Sequence, residues 1–82
     1  MKVKVKFFAI LRERAGTGEI TKEIREGSTV AELWEALQRD YSKLAPVDMR
    51  LLYAVNQAYV KADYVLKERD EVVFVPPVSG GS

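Results

Sequence analysis

The chain has 82 residues, with 13 Lys and Arg against 12 Asp and Glu, a formal net charge of +1, and neither Cys nor His. That length makes one small domain, and a chain this short buries only about 60–65% of its unfolded surface. Without Cys there are no disulfides, cysteine nucleophiles, thiolate metal sites or iron–sulfur clusters, and without His the commonest general base and zinc ligand are gone.

The charge balance gives no bulk drive toward nucleic acid or an anionic membrane. No apolar run approaches the ~18 residues of a membrane span, and Lys2-Val3-Lys4-Val5-Lys6 is unlike a signal peptide. The expectation is a soluble, cytoplasmic domain that binds no cofactor or metal and has no catalytic equipment of its own. Charged residues make up 30% of the chain, and its side-chain amides are confined to Gln38, Asn56 and Gln57. That balance suits a heat-adapted source.

The N-terminus alternates as a strand does: Val3, Val5 and Phe7 fall on one side, Lys2, Lys4, Lys6 and Phe8 on the other. The lysine side is solvated, so a strand regular to residue 8 carries Phe8 outward; a bulge there would return the ring to the core. The outward placement is expected. The stretch from Leu11 to Gly18 reads as a loop, with Gly16 and Gly18 to turn the chain. Glu19 to Glu26 reads as a second strand with Ile20 and Ile24 inward, closed by Gly27, and the two strands form an antiparallel hairpin.

Thr29-Val30-Ala31-Glu32 is a capping box, and Val30, Leu33, Trp34, Leu37 and Tyr41 follow at helical spacing to make one apolar stripe. Glu35, Gln38 and Arg39 face water. The helix fades near Tyr41, and Pro46 prevents its continuation. Trp34 is read as the anchor of this helix to a sheet rather than as a ligand-stacking residue. Leu51 to Val55 reads as a third strand, Asn56-Gln57 as a turn, and Ala58 to Lys61 as a short fourth strand that places Tyr59 beside Lys61 on the solvated face. Ala62 to Arg69 is a turn-rich connection with room for one helical turn. Glu71 to Val75 is a last strand whose unbroken apolar run suits the centre of a sheet.

A single amphipathic helix cannot cover two sheets. The economical arrangement of β-β-α-β-β-β is therefore one mixed sheet with the helix across one face, the first and last strands parallel at its centre. This is an α+β, β-grasp (ubiquitin-like) domain over residues 1–75, with a flexible tail over 76–82.

The tail reads Pro76-Pro77-Val78-Ser79-Gly80-Gly81-Ser82. Two prolines cannot extend a hydrogen-bonded ladder and favour an extended departure. Apart from Val78 the residues after them are tiny, which suits a segment that threads a narrow channel. Taken alone, a terminal Gly-Gly-Ser is also what a linker looks like.

In combination these features resemble a known family, the small subunit of molybdopterin synthase, a ubiquitin-like sulfur carrier. The matching stretches are Val5-Lys6-Phe7-Phe8-Ala9, Ala54-Val55-Asn56-Gln57, Asp70-Glu71-Val72 and Phe74-Val75-Pro76-Pro77-Val78-Ser79-Gly80-Gly81, and they span essentially the whole chain. The resemblance implies that the Gly81 carboxylate, at the end of the Gly80-Gly81 pair, is adenylated with ATP on a ubiquitin-activating-like adenylyltransferase. A persulfide donor then converts it to a thiocarboxylate. The large subunit of the synthase receives the tail, Pro76 to Ser79 included, and uses its sulfur to build the dithiolene of molybdopterin. The resemblance further implies docking through the sheet face away from the helix, with Phe8, Arg12, Tyr59 and Val75 contributing. The lysines at 2, 4, 6 and 61 read as solvating and edge-protecting.

Ser82 departs from the pattern. With Ser82 attached, Gly81 is held in a peptide bond. Ser82 is an extension removed by a peptidase, a residue foreign to the natural chain, or the mark of a paralogue that no longer carries sulfur. As written, the chain is expected to be a precursor inactive in sulfur transfer. Three other functions remain open: a ubiquitin-like modifier joined to target lysines through Gly81, a thiamine-pathway sulfur carrier, and an interaction module that transfers nothing. An independent enzyme is not supported. Glu68 and Asp70 lie in a charged turn, and Gly16-Thr17-Gly18 lacks the context of a phosphate loop.

Overall fold

Alternation in the first strand is realised as β1 (Lys2–Phe7), in which Val3, Val5 and Phe7 are buried and the lysines lie on the opposite side. The computed structural model describes residues 1–44 and 51–76. The expectations for Pro46 and for Pro77 to Ser82 fall outside that range. Along the chain follow α1 (Ile10–Ala15), β2 (Glu19–Glu23), α2 (Val30–Asp40), a 3₁₀ turn (Ser42–Leu44), β3 (Leu52–Val55), β4 (Ala58–Val60) and β5 (Glu71–Val75). The strands make one five-stranded sheet in the order β2-β1-β5-β3-β4. β1 pairs antiparallel with β2 and parallel with β5, and β3 pairs antiparallel with β5 and with β4. This is the mixed β-grasp sheet the pattern implies, with β5 at its centre.

α2 forms where the capping box and apolar stripe place it. Glu32 N–H donates to Thr29 Oγ1 at 3.2 Å, and Thr29 N–H donates to Glu32 Oε1 at 2.9 Å. The other N–H groups of the first turn, which no helix can satisfy internally, are met from the 62–66 connection. Val30 N–H donates to the Tyr64 carbonyl at 3.0 Å and Ala31 N–H to the Ala62 carbonyl at 2.9 Å. Val30, Leu33 and Leu37 are buried against the sheet. Trp34 lies 5.0 Å from Phe74, centroid to centroid, so it anchors the helix as expected. Phe74 also meets Tyr53 edge-on at 5.8 Å and Phe7 at 6.5 Å, which makes the middle of β5 the aromatic centre of the core.

Three expectations are corrected. The first break is not a plain loop: residues 10–15 form α1, closed by Gly16 in the left-handed region at φ 79°, and Leu11 is fully buried. A six-residue helix is too short to show a periodic stripe. The second strand stops at Glu23 rather than Glu26, because β1 begins at Lys2 and leaves later residues no strand to pair with. There the terminal ammonium of Met1 donates to the Ile24 carbonyl at 2.8 Å. Finally, the 62–69 connection has no helical turn; it crosses the mouth of α2 through a Thr29–Val65 bridge and buries Leu66.

The turn at 56–57 and the start of β5 are tied together by side chains. Asn56 Nδ2 donates to Asp70 Oδ1 at 2.9 Å, and Asn56 Oδ1 accepts from Glu71 N–H at 3.0 Å. Asp70, 6% exposed, also accepts from Lys67 N–H through Oδ2 at 2.8 Å. A buried carboxylate is retained only where such donors surround it. The Asn56-Gln57 turn has both residues at positive φ, 51° and 73°, the hairpin geometry that favours Asn-Gly.

Two substitutions test this account by urea denaturation. Asp70→Ala strands the Asn56 amide and the Lys67 N–H and should lower stability by about 2 kcal/mol. Gln57→Gly relieves the left-handed backbone and should raise stability by about 0.5–1 kcal/mol.

Candidate functional site

Strand pairing sorts the outer face of the sheet, away from α2, into rows. One row runs Glu19, Lys6, Val73, Ala54, Tyr59 across all five strands. The next, toward the C-terminal end of β5, holds Val75 opposite Leu52, with Phe8 one residue beyond the Phe7–Phe74 pair. The row on the other side carries Thr21, Lys4 and Glu71.

The face is therefore divided. Its β2–β1 half is charged, with Lys4 Nζ 3.7 Å from Glu19 and Lys6 Nζ 3.5 Å from Glu71. Its β5–β3–β4 half is largely apolar, with Tyr59 74% and Leu52 53% exposed, and Phe8, 52% exposed, follows the end of β1 next to β5. Clustered exposed apolar side chains rimmed by charge are the usual composition of a protein-binding surface. At the β3–β4 edge the patch continues into a shallow groove of about 390 Å³ whose lining includes Leu51, Leu52, Tyr53, Tyr59 and Val60.

The residues singled out from sequence fall as follows. Phe8 is exposed, as expected, although β1 ends one residue before it. Tyr59 stands on the outer face of β4, and Val75 is half-buried at the end of β5. Arg12 is exposed on α1 at the same end of the sheet, rather than in a loop. Pro76 is buried, so it packs against the domain. Pro77, Val78, Ser79, Gly80 and Gly81 lie outside the described residues.

Leu52 was not among the residues singled out, and it is the second most exposed apolar side chain of the patch. Its alternation with Tyr53 was the available signal, masked by the apolar run from Leu51 to Val55. Among the described residues no group of His, Cys, Asp or Glu could hold a metal ion, and no helix is long and apolar enough to cross a membrane.

Phe8 is presented by an unusual piece of backbone. Leu11 N–H donates to the Phe8 carbonyl at 3.1 Å, closing a turn in which Ala9 takes φ 53°, ψ −128°. Glycine is the residue at ease in that conformation.

With the fold and the apolar half-face described, comparison with known proteins gives the family. A model of the ThiS family matches residues 5–81. The chain belongs to the ThiS family. A curated relative, the molybdopterin synthase sulfur carrier subunit of Escherichia coli K12, is 46% identical over 81 residues, covering 96% of this chain and 99% of the relative. Among solved structures, SAMP1 from Haloferax volcanii superposes with a TM-score of 0.87 at 24% identity, over 99% of this chain and 100% of that one, which establishes the shared fold. The same fold is found in a chain from a complex of subunits 1 and 2 of the Helicobacter pylori molybdopterin-converting factor, with a TM-score of 0.68, 23% identity, and 99% and 100% coverage. The resemblance to molybdopterin synthase small subunits carried by the matching motifs is thus borne out over essentially the whole chain.

Ala9 supplies a direct test of the backbone feature. Relief of strain of about 1–3 kcal/mol outweighs the greater chain entropy of glycine, about 0.5–1 kcal/mol. Ala9→Gly should therefore raise stability by about 1 kcal/mol in urea denaturation.

Proposed function

We propose that this chain is a cytoplasmic sulfur carrier for molybdopterin synthase, its reactive atom borne on the carboxyl carbon of Gly81. The observation that carries the reading is 46% identity to the E. coli sulfur carrier subunit over nearly the whole chain, together with a β-grasp domain whose sequence runs straight into Pro76-Pro77-Val78-Ser79-Gly80-Gly81. In this reading hydrolysis of the Gly81–Ser82 peptide bond frees the Gly81 carboxylate. A carboxylate oxygen attacks the α-phosphorus of ATP on an adenylyltransferase, pyrophosphate leaves, and an acyl-adenylate forms. The terminal sulfur of a persulfide donor displaces AMP, and a thiol cleaves the resulting acyl disulfide to release the thiocarboxylate. ATP is thus consumed by the activating enzyme and is not bound by the carrier. Delivery of sulfur to the pterin precursor on the large subunit returns Gly81 to a carboxylate, and a dithiolene takes two such cycles.

The composition supports this division of labour. A carrier whose reactive group is its own chain terminus needs no nucleophilic or acid–base side chain, since partners supply them. The apolar patch of Phe8, Leu52, Tyr59, Val73 and Val75 lies at and beside the end of β5 from which the chain continues into the tail. Docking there leaves the tail pointed at the partner's site, and we take the large subunit to be that partner.

The test is the intact mass of the protein recovered from its native cells, with fragmentation of the C-terminal peptide. A chain ending at Gly81, part of it heavier by one oxygen-to-sulfur exchange, is the expected result. Universal retention of Ser82 would overturn the mechanism and leave a binding role. Isopeptide remnants of Gly81 on target lysines would instead place the chain among ubiquitin-like modifiers, and sulfur delivered to a thiazole-forming enzyme would place it in thiamine synthesis.

A further inference from the structure

β2 is one edge of the sheet, and its hydrogen-bonding pattern follows from its pairing with β1. Met1 and Ile24 exchange both backbone bonds, at 2.8 and 2.7 Å, and Phe7 N–H donates to the Gly18 carbonyl at 3.0 Å. Bonded pairs alternate along an antiparallel ladder, so Gly18, Ile20, Lys22 and Ile24 face β1. Glu19, Thr21 and Glu23 therefore turn N–H and C=O to the open edge. Thr17 Oγ1 caps Glu19, accepting from its N–H at 3.4 Å and donating to its carbonyl at 3.2 Å. Thr21 and Glu23 have no such cap among the described residues, which leaves two donors and two acceptors for an added strand.

On the α2 side of this edge lies a groove of about 260 Å³ between β2 and α2. Ile24, Leu33 and Ala36 give it an apolar middle, and Arg25 and Arg39 line it as well. Among the described residues neither arginine makes a salt bridge. The carboxylates nearby are engaged or turned aside. Asp40 pairs with Lys22, Glu32 accepts from Thr29 N–H, and Glu23, opposite Lys2, belongs to the outer face. The Lys22–Asp40 ion pair also ties β2 to α2, so the groove has its shape before anything enters it.

A second copy of the chain is a poor occupant. Two β2 strands paired about Thr21 set Glu19 against Glu23, and pairing about Lys22 or Glu23 sets identical charges opposite each other. Pairing about Ile20 needs the groups of Glu19 that Thr17 already holds. Charge on an edge strand turns away indiscriminate pairing and leaves room for a strand of matching charge.

We propose that β2 is a second docking site, which takes an extended segment of another protein as a further strand of the sheet. The segment it fits alternates. On the α2 side an aliphatic residue between two carboxylates meets the apolar middle and the two arginines; on the outer side lysine or threonine lies beside Thr21 and Glu23. This site is at the opposite edge of the sheet from Tyr59 and on the helix side, so it leaves the apolar half-face and the tail free. It stands apart from the carrier reading, which its failure would leave untouched.

The experiment titrates the isotope-labelled full chain with an acetylated, amidated heptapeptide, Thr-Glu-Lys-Val-Lys-Glu-Thr, and follows amide NMR shifts. Saturating shifts centred on Thr21 and Glu23, with smaller ones at Ala36 and Arg39, are expected. For so short a strand the dissociation constant should be on the order of 0.1–1 mM. Exchanging Glu and Lys within the peptide should weaken binding about fivefold or more. Thr21→Pro removes an edge donor that β1 does not use, a position where proline is tolerated, and should abolish binding in an otherwise native spectrum. Arg39→Glu, at an exposed position of α2, should weaken binding about fivefold and serves as a second test that leaves the sheet untouched.

No shifts at about 5 mM peptide would overturn the proposal. Equal binding of the exchanged peptide, undiminished binding by Thr21→Pro or Arg39→Glu, or shifts confined to Phe8, Leu52 and Tyr59 would overturn it as well.

Discussion

The parallel pairing of β1 with β5 is the constraint on which the rest of this molecule depends. Parallel neighbours cannot be joined by a tight turn, so everything between residues 8 and 70 serves as the crossover. α2 is the part of it that covers the sheet, and β3 and β4 extend the sheet on the far side of β5. The same pairing makes the tail follow the most deeply held strand: Val72 and Phe74 are fully buried, and Phe74 is in contact with Phe7, Trp34 and Tyr53. A segment used as a probe is of little use on a frayed support. Here it follows the strand that local unfolding should release last.

The two poles of the sheet are built differently. At the pole remote from the tail, hydrogen bonds are dense. Asn56 and Asp70 are interlocked, Arg69 N–H donates to the Lys2 carbonyl at 2.7 Å, Lys2 N–H to Glu68 at 2.9 Å, and Leu66 N–H to the Ser28 carbonyl at 2.8 Å. The tail pole instead carries Ala9 in a strained turn, exposed Phe8, and α1 held to the core mainly through Leu11. Left-handed residues occur at the remote pole as well, at Asn56, Gln57 and Arg69, so backbone strain does not tell the poles apart. Phe8 and Leu52, both exposed beside the start of the tail, are a physical argument for an interface there that does not depend on family likeness.

Much of this was legible in the sequence, for reasons that differ from element to element. The lysine–valine alternation of residues 2–7 admits one orientation because the lysines must be solvated, and it favours an outward Phe8 without excluding a bulge there. The capping box and apolar stripe of α2 are redundant signals, and each is met in the structure. α1, Leu44 and Leu66 were not legible. Each puts a single apolar residue, Leu11 in the case of α1, into the core from a connection, and one buried position carries no period.

The motifs that carry the family likeness then separate by physical role. Asn56 and the Asp70-Glu71 pair are explained by the interlock at the remote pole: amide, carboxylate and Glu71 N–H satisfy one another and hold the β3–β4 hairpin against β5. Nothing in that interlock needs a partner. Phe8 and Tyr59 are the opposite case, since an aromatic ring more than half exposed returns little of its burial energy to the free domain. Their energy is realised only when another surface covers them. A carrier must be released as well as bound, and a divided face suits both demands. In the proposed docking its apolar half would supply affinity over a small area, while its charged half would stay solvated and keep the contact from spreading across the sheet.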